Sequence, residues 1–420
     1  MAISRSDDVR LSNQRIVLAA LRSRNPMSRT ELRTATGLSA ATVTAITGDL
    51  LENGYLVEAE QKSNGDAANE TNAVSRRGRP QVSLALNPKA ANVAVLILTH
   101  NRVSAAVADY SGKVLVEMSN SVDTQMLDRS EIVRYLVQIL ETALDRSRIA
   151  KPALRQITVA IQGVSDAKGT KIQWSPIIAH RDLEIADELE QRFQASVKVT
   201  NDATMIAAAL RELEPERFDQ SFAAILLAHG IGMGLYWKGQ PFSGIWSSAA
   251  EFGHMCYIPN GALCRCGRHG CIEAYAGDYG IWRAATGGDP KVMPTRSVDM
   301  SVMAELAARA KQGDERANKA YQDAGAALGH GLRNLFALLD PFPVAFVGSG
   351  AIAFDLMEPM IRRSLGLRNI GLSHSDTELY SRTDDVSLTQ KGALVTALAD
   401  CDKTVQGFRE PAIFEHANAG

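Results

Sequence analysis

No stretch of this 420-residue chain stays apolar long enough to cross a bilayer. Runs such as Ala94–Leu98 and Phe222–Ala228 fall far short of the ~18 residues that a spanning helix needs. The opening Met-Ala-Ile-Ser-Arg-Ser-Asp-Asp lacks the apolar core of a secretory signal, so a cytoplasmic protein with no membrane partner is expected. Net charge is nearly absent, at −2. What charge there is lies unevenly: residues 1–88 hold eleven Lys and Arg against nine acids, and seven Arg fall in the first 35 positions. This asymmetry points to a polyanion partner at the amino end, although a well-solvated helix surface would look the same. Cysteine is scarce, yet four of the five (Cys256, Cys264, Cys266 and Cys271) lie within sixteen residues, with Cys401 apart. In a cytosolic chain such a cluster indicates metal more than disulfides. With 45% hydrophobic and 22% charged residues, the composition is that of a soluble, well-cored protein, and the length suits two or three domains.

Three short helices are expected first. Ser12 can cap a helix through Arg24 whose apolar side is Ile16, Ala19, Ala20 and Leu21. Ser28 and Glu31 form a capping box, in which two side chains satisfy two orphan amides reciprocally, and this second helix ends at Gly37. Ser39 caps a third, where Val43, Ile46 and Leu50 repeat at helical spacing. A strand follows Asn53-Gly54. Helix, turn, Ser-capped helix and strand is the layout of a winged helix-turn-helix over residues 1–88. The outer face of the third helix offers Ser39, Ala41, Thr42, Thr44 and Ala45, small or hydroxylic residues that let a helix approach the major groove closely. Arg76, Arg77 and Arg79 near the second wing strand are candidates for phosphate or minor-groove contacts, and residues 61–75 read as a disordered wing tip. Such a bundle could serve protein contacts instead of DNA.

From Asn92 the pattern turns to strands, at Val93–Leu98, Val103–Ala108 and Val114–Met118, then a helix at Arg129–Arg146 and a strand at Ile157–Ile161. A helix at Leu183–Phe193 and a strand at Val197–Thr200 follow. The rhythm restarts at Phe222–Leu227 and Gly232–Trp237, with helices at Met303–Lys311 and Asp314–Leu339 and a strand at Val344–Val347. Two copies of a meander followed by alternating helices and strands suggest a duplicated α/β fold of the actin and hexokinase (ribonuclease H-like) kind. The expected units are residues 89–200, a smaller lobe, and 201–420, a larger one whose last helix returns to the first. Within Glu251–Glu273, His254, Cys264, Cys266 and Cys271 supply the Cys₃His set of a closed tetrahedral zinc site. Four protein ligands leave no open position, so the ion is expected to be structural and to add folding free energy. Cys256 and His269 are spare donors in the same loop.

These motifs resemble the ROK family of repressors, open reading frames and sugar kinases. The Glu-x-Gly-His sequence, the ten-residue step to Cys-x-Cys-Gly-x-x-Gly-Cys and the following Glu-Ala carry the likeness, which spans roughly residues 10–400 and leans to the xylose and N-acetylglucosamine repressor branch. The resemblance implies that Asn201, Asp202, Glu251, His254 and Glu273 contact a sugar. A pyranose presents a ring of hydroxyls, best held by carboxylates and amides. A ROK kinase would carry a glycine-rich turn between the first two sensor strands, where this chain reads Leu96-Ile-Leu-Thr-His-Asn-Arg102, without glycine or acid. His229-Gly-Ile-Gly-Met-Gly234 and Gly348-Ser-Gly350 keep remnants of later turns. The expectation is a non-enzymatic, sugar-responsive regulator of carbohydrate genes that binds operator DNA as a homodimer or homotetramer. No catalytic residue is assigned, and the alternative is an active ATP-dependent sugar kinase with an appended DNA-binding domain. Gln162-Gly-Val-Ser165 and Ser175-Pro-Ile177 depart from the family's Gly-Pro and Pro-Asn pairs, which leaves the sugar open.

Overall fold

In the computed structural model, which describes residues 4–59, 82–149, 153–244, 250–294, 298–366 and 376–404, the first helix, α1 (Ser4–Ser23), begins well before the expected cap at Ser12. Its inward stripe also differs. Val17, Leu18 and Leu21 are fully buried, whereas Ile16 is 41% exposed. Val17 and Leu18 together offer more apolar area than Ala19 and Ala20, so the helix turns that side inward. The strand β1 (Met27–Ser28) leads to α2 (Arg29–Thr36), opened by the Ser28/Glu31 capping box and closed by left-handed Gly37. Ser39 caps α3 (Ala40–Glu52), which buries Val43, Ile46 and Leu50. The strands β2 (Leu56–Ala59) and β3 (Ser83–Leu86) pair antiparallel, and β1 adds on the other side of β3. The expected wing tip and Arg76, Arg77 and Arg79 lie outside the described residues.

Two five-stranded sheets follow, built to one plan. In the first, β4 (Asn92–Thr99), β5 (Arg102–Asp109) and β6 (Val114–Ser121) form an antiparallel meander. After α4 (Arg129–Ser147), β7 (Leu154–Ile161) pairs parallel to β4. A small sheet of β8 (Val164–Ser165), β9 (Lys171–Trp174) and β10 (Leu183–Glu184) precedes α5 (Ala186–Phe193). Leu183 and Glu184 therefore pair with β9 instead of starting the helix. The edge strand β11 (Ser196–Asn201) completes the order β11-β7-β4-β5-β6. Next come α6 (Asp202–Leu213) and the short α7 (Pro215–Phe218). The second sheet repeats the meander with β12 (Phe222–Leu227), β13 (Ile231–Trp237) and β14 (Gln240–Pro241). Helices α8 (Glu273–Ala276), α9 (Asp278–Thr286), α10 (Met300–Lys311) and α11 (Glu315–Leu339) intervene before β15 (Val344–Val347). Then α12 (Phe354–Gly366), β16 (Leu379–Arg382) and α13 (Asp385–Lys403) end the described chain. The order β14-β13-β12-β15-β16 mirrors the first sheet strand for strand, which bears out the duplicated α/β rhythm. Among the described residues no helix is long and apolar enough to cross a membrane.

The helices α6 and α13 lie between the two sheets. Ala203, Ile206 and Leu210 of α6 pack with the second sheet, and Leu394 and Ala397 of α13 pack with Val93 and Val95 of the first. The pair crosses at backbone contact: a Cβ on Gly392 would lie 1.7 Å from the Met205 carbonyl oxygen. The same buried cluster that holds Leu394 and Leu398 runs on through Val17, Leu18 and Leu21, so the amino-terminal unit shares a core with the sheet body. A buried ionic knot reinforces that junction. The Arg22 guanidinium donates to both Asp402 carboxylate oxygens at 2.6 and 3.3 Å and to the Tyr110 carbonyl at 2.6 Å. Tyr110 Oη donates to Asp402 at 2.7 Å, and the guanidinium lies over its ring. Removing one partner of such a pair strands the other in low dielectric. Asp402→Ala should therefore destabilise the fold by about 3–5 kcal/mol, read as a lower denaturant midpoint. An unchanged midpoint would show the junction to be held by apolar contact alone.

Candidate functional site

Between Phe252 and Cys271 the chain folds back on itself, with Cys256 opposite Cys271 and Leu263 opposite His269. The return depends on Gly270, whose left-handed backbone brings it so near Ile258 that a Cβ would sit 1.8 Å from the Ile258 oxygen. The fold gathers His254, Cys264, Cys266 and Cys271, with one potential ligand atom from each, all within 4.8 Å of one another. Cys266 Sγ and Cys271 Sγ are 3.8 Å apart, and Cys264 Sγ is 3.7 Å from His254 Nδ1. Zinc–sulfur bonds of 2.3 Å in a tetrahedron imply sulfur–sulfur edges of ~3.8 Å, so this donor set fits zinc. The two spare donors stand aside: Cys256 is exposed, and His269 Nδ1 is 3.0 Å from the Gly261 carbonyl. Cys401 is buried far along the chain, its thiol pushed up to about 11 chiefly by that burial.

The knot forms one wall of a cleft of about 290 Å³ in which Asn201, Asp202, Glu251, His254 and Glu273 all appear. They are not equivalent. Asn201 caps α6, its Oδ1 accepting from the Thr204 amide at 3.2 Å, while its Nδ2 donates to the Gly163 carbonyl at 2.7 Å. Both ends of that amide are engaged in bracing the helix. Asp202, the first residue of α6, is buried and pushed up to about 7, first by desolvation and further by Asp385 and Glu251, against the pull of the Ala203 amide. Glu273 Oε2 accepts from the Ile231 amide at 3.0 Å, and its Oε1 lies 3.2 Å from Tyr279 Oη. The same Tyr279 hydroxyl is 3.4 Å from Cys264 Sγ, so one phenol links the carboxylate to the Cys₃His cluster. His254 turns Nδ1 to the thiols and Nε2 toward Glu251, 3.9 Å away. Burial raises the Glu251 carboxyl above its ordinary range.

The cleft also holds residues that the motifs did not single out, notably Trp174, Asp166 and Lys198. Trp174 meets His254 edge to face, with ring centroids 5.9 Å apart. Aromatic residues in a half-buried strand read as core from sequence, and no local spacing marks this one. Between β4 and β5 the turn is reduced to His100 and Asn101, because Thr99 and Arg102 already pair. The equivalent β12–β13 turn places His229 against it, rings 4.6 Å apart. His229 Nδ1 sits 3.2 Å from Asp278, and the Arg265 guanidinium donates to the His229 carbonyl at 2.8 Å. On the amino-terminal unit, Ser39, Ala41 and Thr44 are exposed and Thr42 is half-buried, its amide donating to Ser39 Oγ. The cleft and this surface belong to different parts of the molecule, joined through α6 and α13.

The sequence profile of the ROK family matches residues 100–380. The xylose repressor of Bacillus spizizenii (strain ATCC 23059 / NRRL B-14472 / W23) is 23% identical over 341 residues, covering 81% of this chain and 83% of its own. The DNA-binding transcriptional repressor Mlc of Escherichia coli (strain K12) is 24% identical over 365 residues, 86% of each chain. Among solved structures, a ROK family transcriptional regulator described as a homolog of the E. coli Mlc protein superposes with a TM-score of 0.75 at 21% identity, covering 95% of this chain and 100% of that one. The ROK hexokinase of Thermus thermophilus gives a TM-score of 0.59 at 24% identity over 74% of this chain and 98% of its own. The α/β fold is thus that of ROK regulators and of hexokinase-like sugar kinases. With a match across more than half its length, this chain belongs to the ROK family.

Proposed function

We propose that this chain is a DNA-binding transcriptional repressor whose operator affinity responds to a sugar or sugar derivative bound in the cleft. The observation that carries the reading is the convergence of Asp202, Glu251 and Glu273 on one cleft. Carboxylates are acceptors suited to a rim of hydroxyls. Zinc held by His254, Cys264, Cys266 and Cys271 would supply a cross-link that fixes Glu251 and Glu273 through neighbouring backbone, with no open position for chemistry. A kinase would need backbone amides open to phosphates at the β4–β5 turn. There the two-residue turn and the packing of His100 on His229 favour a sensor. Residues 1–88 would act as a winged helix-turn-helix, with Ser39, Ala41, Thr42 and Thr44 at the groove and Arg76, Arg77 and Arg79 on phosphates. Residues 89–200 and 201–420 would be the two lobes.

The coupling route is α6 to α13 to Arg22. Sugar at Asp202 would move the N-terminus of α6. The Gly392 crossing passes that displacement to α13, whose Asp402 grips α1. In a homodimer or homotetramer the spacing of two heads on half-sites would change, which is ordinary linkage between two sites.

Three measurements test this reading. Purified protein should hold one equivalent of zinc by elemental analysis, and Cys264→Ser and Cys271→Ser should each lose it and melt at lower temperature; metal-free wild type of undiminished stability would refute a structural ion. Arg77→Ala combined with Arg79→Ala should weaken DNA binding across sequences and flatten the plot of log K against log salt by about 0.9 per lost phosphate contact, whereas Glu251→Gln should leave DNA binding intact and abolish the sugar response. The third concerns pH. Since Asp202 titrates near 7, the ionised acceptor is depleted below that value and restored above it, so sugar affinity should rise between about pH 6 and pH 8, and Asp202→Asn should flatten the profile.

A further inference from the structure

Carboxylates alone discriminate little among sugars, because each accepts a hydrogen bond from any hydroxyl within reach. The described cations of the cleft do not sharpen the choice. Lys198 is paired with Asp400 at 3.2 Å, and His254 belongs to the metal cluster. Discrimination among rings that differ in one axial hydroxyl is sharpened by a flat apolar wall, against which a bare C–H face fits and a projecting hydroxyl does not. We infer that Trp174 is that wall: the C–H face of a sugar ring stacks on its indole while the hydroxyl rim reaches Asp202, Glu251 and Glu273, which makes Trp174 the specificity-determining residue of the cleft.

Several observations place it there. Trp174 is half-buried at the end of β9, lines the same cleft as the three carboxylates, and sets its ring against the imidazole of His254. Its indole N–H has no hydrogen-bond partner among the described residues, leaving a donor for a ring oxygen or hydroxyl. The chain beyond it is pinned, so the ring is presented on a rigid edge. Ser175 Oγ donates to the Gln162 carbonyl at 2.6 Å and accepts from the Ile177 amide at 3.2 Å. Thr124 Oγ1 donates to the Ile177 carbonyl at 2.7 Å. Ile177 itself is buried with the first-sheet core, so the recognition surface of this segment falls to Trp174 and Pro176, of which only Trp174 offers a flat aromatic face. The ligand class follows: a closed pyranose with at least one face free of axial hydroxyls, in preference to open-chain polyols.

This inference rests on the reading of the cleft as a sugar site, and the experiment separates the two. Full-length, zinc-loaded protein is titrated calorimetrically with glucose, galactose, xylose, N-acetylglucosamine and mannitol, as wild type, Trp174→Phe, Trp174→Ala and, as a control on an exposed indole, Trp282→Phe. For the best-bound sugar, Trp174→Ala should weaken affinity about tenfold or more and shrink the ratio between that sugar and its weaker-binding epimer, while Trp174→Phe should stay within about threefold. The sugar-induced change in tryptophan emission should vanish in Trp174→Phe and persist in Trp282→Phe. If wild type binds none of these ligands, the cleft reading falls and the platform with it. If wild type binds a sugar and Trp174→Ala binds it equally well with the same selectivity, only the platform is overturned. Should Trp174→Ala fail to fold, an emission change retained in Trp174→Phe overturns it instead.

Discussion

The backbone contact between α6 and α13 is the constraint on which the rest of the molecule depends. Two sheets of identical order need a layer between them, and that layer is thin because Gly392 lets one helix touch the carbonyl of Met205 in the other. Any side chain at that point would push the helices apart. The N-terminus of α6 carries Asp202 into the cleft, and the far end of α13 carries Asp402 to the amino-terminal unit. Site and junction therefore share one packed pair, and Lys198 of the cleft wall is itself paired with Asp400, two residues before Asp402. The contact between the two helices is dense and apolar, and close-packed interiors compress little.

The Cys₃His cluster bears on the same cleft through His254. A loop between Phe252 and Cys271 has little regular structure to hold it, and an ion in the Cys₃His set would supply the missing rigidity. Tyr279 extends that rigidity to Glu273 through a hydroxyl shared between sulfur and carboxylate. Acceptors fixed before a ligand arrives lose less freedom on binding, so with the ion in place the cost of ordering them would be met during folding.

Local chemistry was legible in the sequence and long-range placement was not. The capping residues Ser28 and Ser39, the cysteine spacing and the duplicated strand rhythm are short-range signals, and each reappears in three dimensions. The start of α1 was misplaced because Ser12 has cap chemistry, while the inward side is chosen by Val17 and Leu18 meeting a partner far along the chain. Leu183 and Glu184 looked helical until β9 supplied a strand to pair with. Asn201 shows a second role that its residue type does not announce: its amide braces α6 through one bond at each end, and each end keeps one further donor or lone pair for a hydroxyl. Trp174 carried no signal at all, since nothing in its neighbours distinguishes a ring facing a cleft from one facing a core.

The continuous core between the amino-terminal unit and the sheet body has a mechanical consequence. Val17, Leu18 and Leu21 lie in one cluster with Leu394 and Leu398, and Arg22 is locked to Asp402, so the junction cannot act as a slack tether. It behaves as a welded joint. In any assembly of two such chains, the reach between their outer helices would be set by the stiffness of that weld and the angle at which it holds.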